Sequence, residues 1–199
     1  LERGFTKDYG YIAMEFFARG DLKQRIEHGV FVPDAINYIR HIGFGLSAIH
    51  ANGIVHRDLK PGNIMFRSDD SLALADFGIS KRLDETGELT RLGSVLGTPN
   101  YISPEQALGN AIDHRTDLYS AGVLFFEMLT GRKPFKAETA PALVYQHVHA
   151  PIPQLPDGVH HYQPIIEMLL AKDPAERFGS AAEFIAGLES IDRASNTVS

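Results

Sequence analysis

Residues Thr116 to Leu129 read as a helix that stays apolar nearly all the way round, through Phe125, Phe126, Met128 and Leu129. Such a helix cannot lie on a surface, because other elements must enclose it on every side. The chain therefore has to fold around a central helical post, with Gly131 placed to stop it. Asp117 falls inside that post, and a carboxylate buried there is costly unless donors from elsewhere reach it. With 199 residues, 44% hydrophobic and 22% charged, there is material for one domain with a real core around the post.

Helical spacing recurs on both sides of it. Asp21 to Glu27 is a short helical segment, and Pro33-Asp34 opens a long one to about Ala51, with Ile36, Ile39, Ile42, Leu46 and Ile49 in register and Asn52-Gly53 ending it. Glu138 to Val148, Tyr162 to Lys172 and Ser180 to Ile191 are the remaining helices, with a proline-rich connection through Pro151, Pro153 and Pro156. Strand character is sparse. Tyr11 to Phe16 reads as a buried strand, and Ile64 to Phe66 with Leu72 to Ala75 read as a pair around the turn Ser68-Asp69-Asp70. The fold class is mainly α, with a short β-hairpin and one further strand. Gly43-Phe44-Gly45-Leu46-Ser47-Ala48 spells a dinucleotide fingerprint, but its glycines lie in mid-helix. Small residues admitting a neighbouring helix are the better account.

The chemistry concentrates on two loops. His56-Arg57-Asp58-Leu59-Lys60-Pro61-Gly62-Asn63 carries a carboxylate, an ammonium and an amide, and Asp76-Phe77-Gly78 follows thirteen residues after Asn63. An Asp able to accept a hydroxyl proton, a Lys for phosphate charge, and an Asn with a second Asp able to chelate a divalent metal are the parts of phosphoryl transfer. Nine histidines include His147-x-His149 and His160-His161, but neither pair comes with further ligands at metal spacing, so a transition-metal site is not expected.

The pairing of H-R-D-L-x-x-x-N with D-F-G resembles the eukaryotic-like (Hanks-type) bacterial serine/threonine protein kinases. Gly97-Thr98-Pro99-Asn100-Tyr101-Ile102-Ser103-Pro104-Glu105 resembles the end of their activation loop, with Ser103 where the family usually has Ala. The resemblance implies a kinase-like C-lobe over 18–191, a remnant of N-lobe strands and hinge over 1–17, and a polar tail or linker start over 192–199. It implies ATP and Mg²⁺ as cofactors. Asp58, Lys60 and Asn63 would be catalytic, and Asn63 and Asp76 would hold metal. Met14 would back the adenine pocket, the backbone of Glu15 to Phe17 would bond adenine, and Met65 would form its floor. Asp21 would hold ribose or, equally, cap a helix. Structural roles fall to His56, packing under Phe77, and to Gly78, Thr98 and Asp117, the last bracing the catalytic loop. An Arg177–Glu105 bridge is implied as well. Among Thr86, Thr90, Ser94 and Thr98, the implied phosphoacceptor is Thr90, with Arg57 as the phosphate's partner.

Upstream of the hinge there is no G-x-G-x-x-G, and Lys7 is the only lysine, so the N-lobe is expected to be missing and the chain alone to be inactive. Lys60-Pro61-Gly62 and Gly97-Thr98 favour Ser/Thr over Tyr. The expected partners are protein substrates, with self-association for autophosphorylation. A net charge of −6 argues against nucleic acid. The absence of cysteine, of a bilayer-length apolar run and of a signal peptide leads to an expectation of a soluble, cytoplasmic chain. Two rivals are a pseudokinase or scaffold module, disfavoured by the presence of Asp58 and Asp76, and a small-molecule phosphotransferase, disfavoured by Arg57, Lys60 and Ser-Pro-Glu.

Overall fold

The computed structural model describes residues 2–5, 9–13, 15–76 and 99–196. In chain order these form β1 (Glu2–Phe5), β2 (Gly10–Ala13), α1 (Leu22–His28), α2 (Val32–His50), β3 (Ile64–Phe66), β4 (Leu72–Leu74), α3 (Pro104–Ala107), α4 (Arg115–Thr130), α5 (Ala140–His149), α6 (Gln163–Leu170) and α7 (Ala181–Asn196), with 3₁₀ turns at Pro61–Asn63, Asp157–Tyr162 and Pro174–Glu176.

The post is α4. Every residue from Thr116 to Leu129 is buried, and the helix stops where Gly131 takes a φ of 69°, a left-handed value that favours glycine. It packs against α2 and α6, while α7 packs against α2 and also touches α6. Glycines permit the approach. A Cβ on Gly122 would stand 2.6 Å from Leu169 Cβ, and one on Gly43 would stand 2.9 Å from Ile185, so Gly43 does admit a helix. Gly45 admits the Leu74 side chain of β4 instead.

Among the described residues the strands form two two-stranded antiparallel hairpins. β3 and β4 pair Ile64 with Leu74 and Phe66 with Leu72, close to the sequence expectation. The first hairpin departs from it. The strand read as Tyr11 to Phe16 ends at Ala13, which pairs with Glu2, and β1 was not legible among the charges and glycines of the first ten residues. Past that last rung Phe16 has no ladder to bury it and is 87% exposed. At the other end α7 runs to Asn196, beyond the Ile191 where apolar periodicity stops, and Asp192 accepts from Tyr162 Oη at 2.7 Å and Arg40 at 2.8 Å.

His147 shows how the core handles polar groups. It is fully buried, its ring 3.0 Å from the Tyr119 hydroxyl, and burial followed by the nearby Lys172 ammonium pushes its pKa down to about 4. The unfolded chain therefore takes up a proton near pH 6.5 that the folded protein refuses until about 4, so stability should fall as pH drops through that window. Urea unfolding of wild type and His147→Phe checks this: the wild type should lose stability, of the order of 2–3 kcal/mol, more steeply than the variant.

Candidate active site

The loop 56–63 is held by its backbone. Asp117 accepts the His56 amide at 2.8 Å and the Arg57 amide at 2.9 Å, and the same carboxylate accepts His50 Nε2 at 2.8 Å. From the opposite side Gln106 Nε2 donates to the Arg57 carbonyl at 2.8 Å. These bonds hold Arg57 at a φ of 67°, a conformation a non-glycine residue keeps only when its surroundings impose it. His56 is fully buried, and its Nε2 donates to the Ala75 carbonyl at 3.0 Å. Burial lowers its pKa despite the Asp117 charge, so it enters the site as a neutral prop.

Three side chains then meet. Leu59 anchors the loop in the core, and a 3₁₀ turn starting at Pro61 carries Asn63 back towards Asp58. Asn63 Nδ2 donates to the Asp58 carbonyl at 2.9 Å and reaches its Oδ2 at 3.3 Å, while Lys60 Nζ lies 2.7 Å from that Oδ2. With Nδ2 engaged, Asn63 Oδ1 is the atom able to face a cation. The Asp58 and Lys60 side chains are 36% and 46% exposed, so both are open to solvent. Asp76 arrives by strand pairing. The Ala75 amide donates to the Asn63 carbonyl at 2.8 Å, and the next residue, Asp76, is exposed with a φ of 54°.

A second strip runs beside β3. Arg19 N donates to Phe66 O at 3.3 Å, Phe66 N to Gly20 O at 3.0 Å, and Asp21 bridges to Met65, so residues 19–21 lie along the hairpin. Met65 alternates with buried Ile64 and Phe66 and so faces the other, more open side. Glu15 pairs with Arg67 at 2.6 and 3.1 Å, and Phe17 is half-buried. Asp21 caps α1, its Oδ1 accepting from Gln24 N at 2.9 Å. Met14, Phe77, Gly78, Thr90 and Thr98 lie outside the described residues.

Arg177 and Glu105 form a two-pronged pair at 2.8 Å on each arm, 0% and 5% exposed. Burial alone would raise the Glu105 pKa; Arg177 and the Thr116 hydroxyl, 2.6 Å away, outweigh it and hold the group below its ordinary value. Sequence reasoning overlooked His50 and Gln106. Nothing local marks His50, whose partner is distant in the chain. Gln106 did carry a signal: Ser103-x-x-Gln106 is a capping box, and Ser103 serves as the cap of α3, which an Ala there could not do.

The family model described as protein kinase domain matches residues 3–186, and the chain belongs to that family. Among its relatives, "Serine/threonine-protein kinases drp72" of Corynebacterium efficiens is 36% identical over 91% of this chain and 35% of its own length. Serine/threonine-protein kinase pkn3 of Myxococcus xanthus is 38% identical over 92% and 36%, and PknL of Mycobacterium tuberculosis is 36% identical over 96% and 49%. The chain thus spans about a third to a half of the length of these curated relatives. Among the described residues no helix is long and apolar enough to cross a membrane.

Proposed function

We propose that the full-length protein transfers the γ-phosphoryl group of ATP to Ser and Thr hydroxyls of proteins. The observation that carries this reading is the meeting of Asp58, Lys60 and Asn63 on a loop clamped by Asp117 and Gln106. Asp58 accepts or orients the substrate hydroxyl, and Lys60 moves from Asp58 to offset charge on the transferred group. Asn63 and Asp76 would hold Mg²⁺, which would supply charge neutralisation to the phosphates. Met65 and the backbone of Glu15 to Phe17 bind adenine, and Asp21 remains a cap that can also meet the ribose. Catalysis here is positioning and electrostatics, with little covalent work for the protein.

A panel of labelled-ATP assays tests the reading. The full-length protein should label Ser and Thr in a generic basic protein and leave small alcohols such as choline and aminoglycosides unlabelled. The 199-residue chain alone, whose sequence holds no glycine-rich loop, should show negligible turnover. Transfer to the small alcohols, or absence of protein labelling by the full-length protein, would overturn it.

A further inference from the structure

Segment 15–21 meets the β3–β4 hairpin in two different ways. At its later end the hold is mainly backbone, through the bonds of Arg19 and Gly20 to Phe66 and the bridge from Asp21 to Met65. Ion pairs reinforce that end: Asp70, at the hairpin turn, takes both Arg19 and Arg25, the latter at 2.6 Å. Arg25 is itself fixed, its guanidinium 3.5 Å from the Phe66 ring centre and one arm donating to the Tyr38 hydroxyl at 2.6 Å. The earlier end is held differently. Among the described residues no backbone bond joins 15–18 to β3, and the tie is one pair of side chains. Arg67 Nε donates to Glu15 Oε1 at 2.6 Å and Arg67 Nη2 to Oε2 at 3.1 Å, a two-pronged contact between guanidinium and carboxylate.

The hairpin mounts Arg67 firmly and aims it. Its amide donates to the Ser71 carbonyl at 3.0 Å, so the ladder continues past Phe66. Ile64 and Phe66 are buried while Met65 and Arg67 are half-exposed, so the alternation of the strand puts Met65 and Arg67 on one face. The Arg67 guanidinium also lies 6.0 Å from the Phe17 ring and 3.4 Å from Ser71 Oγ. The kinase reading gives Met65 to the floor of the adenine slot and the backbone of 15–17 to its edge. Arg67 stands two residues from the one and grips the other. A base gains most when floor and edge are already correctly spaced, because ordering a loose segment on binding subtracts from affinity.

We propose that Arg67 is a positioning residue for the nucleotide: by gripping Glu15 it holds the segment that bonds the adenine edge at a fixed distance from the Met65 strand, and so sets adenine affinity without touching the nucleotide. This rests on the kinase reading above and adds to it the pair that pre-organises the base slot. The two side chains are 39% and 50% exposed, so water screens the pair, and its loss should weaken binding by about threefold to tenfold rather than abolish it.

Adenosine is the probe, because it carries no charge and its binding cannot change through attraction between the Arg67 cation and phosphates. Titrated into the full-length protein, it should bind about threefold to tenfold more weakly to Arg67→Ala and to Glu15→Gln, both exposed substitutions that leave the fold intact. The double variant should be no weaker than either single one, since both remove the same contact. Reversing the pair, Glu15→Arg with Arg67→Glu, should restore affinity to within about twofold of wild type. In phosphorylation assays Arg67→Ala should raise KM for ATP by the same factor and leave kcat within about twofold. Asp70→Ala, at the end that backbone bonds already hold, should bind adenosine as wild type does. Less than a threefold loss in both single variants would overturn the proposal and leave the kinase reading intact. So would an equal loss in Asp70→Ala, or a reversed pair that fails to recover. A wild-type protein that binds neither adenosine nor ADP with Mg²⁺ would overturn both.

Discussion

Replacing Arg177 by alanine should remove about 3–5 kcal/mol of stability, read as a shift in the urea midpoint, because it leaves the Glu105 carboxylate buried without its counter-charge. The other partner of Glu105 in the pair's surroundings is the Thr116 hydroxyl, a neutral donor that cannot replace a guanidinium. Glu105→Gln should cost less. Arg177 would still donate to the carbonyls of Ala171, Arg115 and Lys172, so its charge would remain solvated by dipoles. The order of the two single variants is the informative result. Removing both charges together, as Arg177→Met with Glu105→Met, should cost less than Arg177→Ala alone, since what destabilises is an unpaired buried charge. Added salt should change little, the pair being closed to solvent. Equal, small losses for both single variants would mean that the pair is incidental to the fold. The pH dependence has a definite sign. Glu105 titrates below its ordinary value when folded, so its contribution is complete above about pH 4.5 and is lost as pH falls through the lower, folded value.

Asp58→Asn is the second large effect, and it should appear in rate rather than in stability. The side chain is 36% exposed and makes its contacts with Lys60 and Asn63 at the surface of the site, so the melting temperature should move little. An amide cannot accept the hydroxyl proton. The kcat of the full-length protein should fall by about 10²–10⁴, the usual worth of a positioned general base, with KM for ATP much less affected. A variant with near-wild-type kcat would remove Asp58 from the mechanism. One with collapsed stability would make its role structural.

The contrast between these two sites follows how each is encoded. The post was legible because apolar residues on all faces of 116–129 permit no exposed placement, and Gly131 marks its end. Asp58, Lys60 and Asn63 were legible because they sit within six residues on one loop, where a short turn suffices to bring them together. His50 was not, since its bond to Asp117 depends on how α2 crosses α4, a tertiary fact with no local trace. Phe16 was misread for a related reason: strand propensity continues past Ala13, but the ladder does not. Helix α7 outlasts its apolar pattern because Asp192 has partners on Tyr162 and Arg40, polar contacts that periodicity cannot register. Arg67 belongs to the same group. Its hold on Glu15 depends on how segment 15–21 lies along the hairpin, and on sequence alone it is one cation among several.

Under the proposed function, the two loops should together build a single site for a metal-bound nucleotide. Binding of Mn²⁺ with a nonhydrolysable ATP analogue to the full-length protein, followed by electron paramagnetic resonance, addresses it without reference to turnover. Asn63→Ala and Asp76→Ala should each weaken that binding by about 10–100-fold, whereas Asp69→Ala, in the exposed hairpin turn, should leave it unchanged. Undiminished Mn²⁺–nucleotide binding in both the Asn63 and the Asp76 variants would contradict the account.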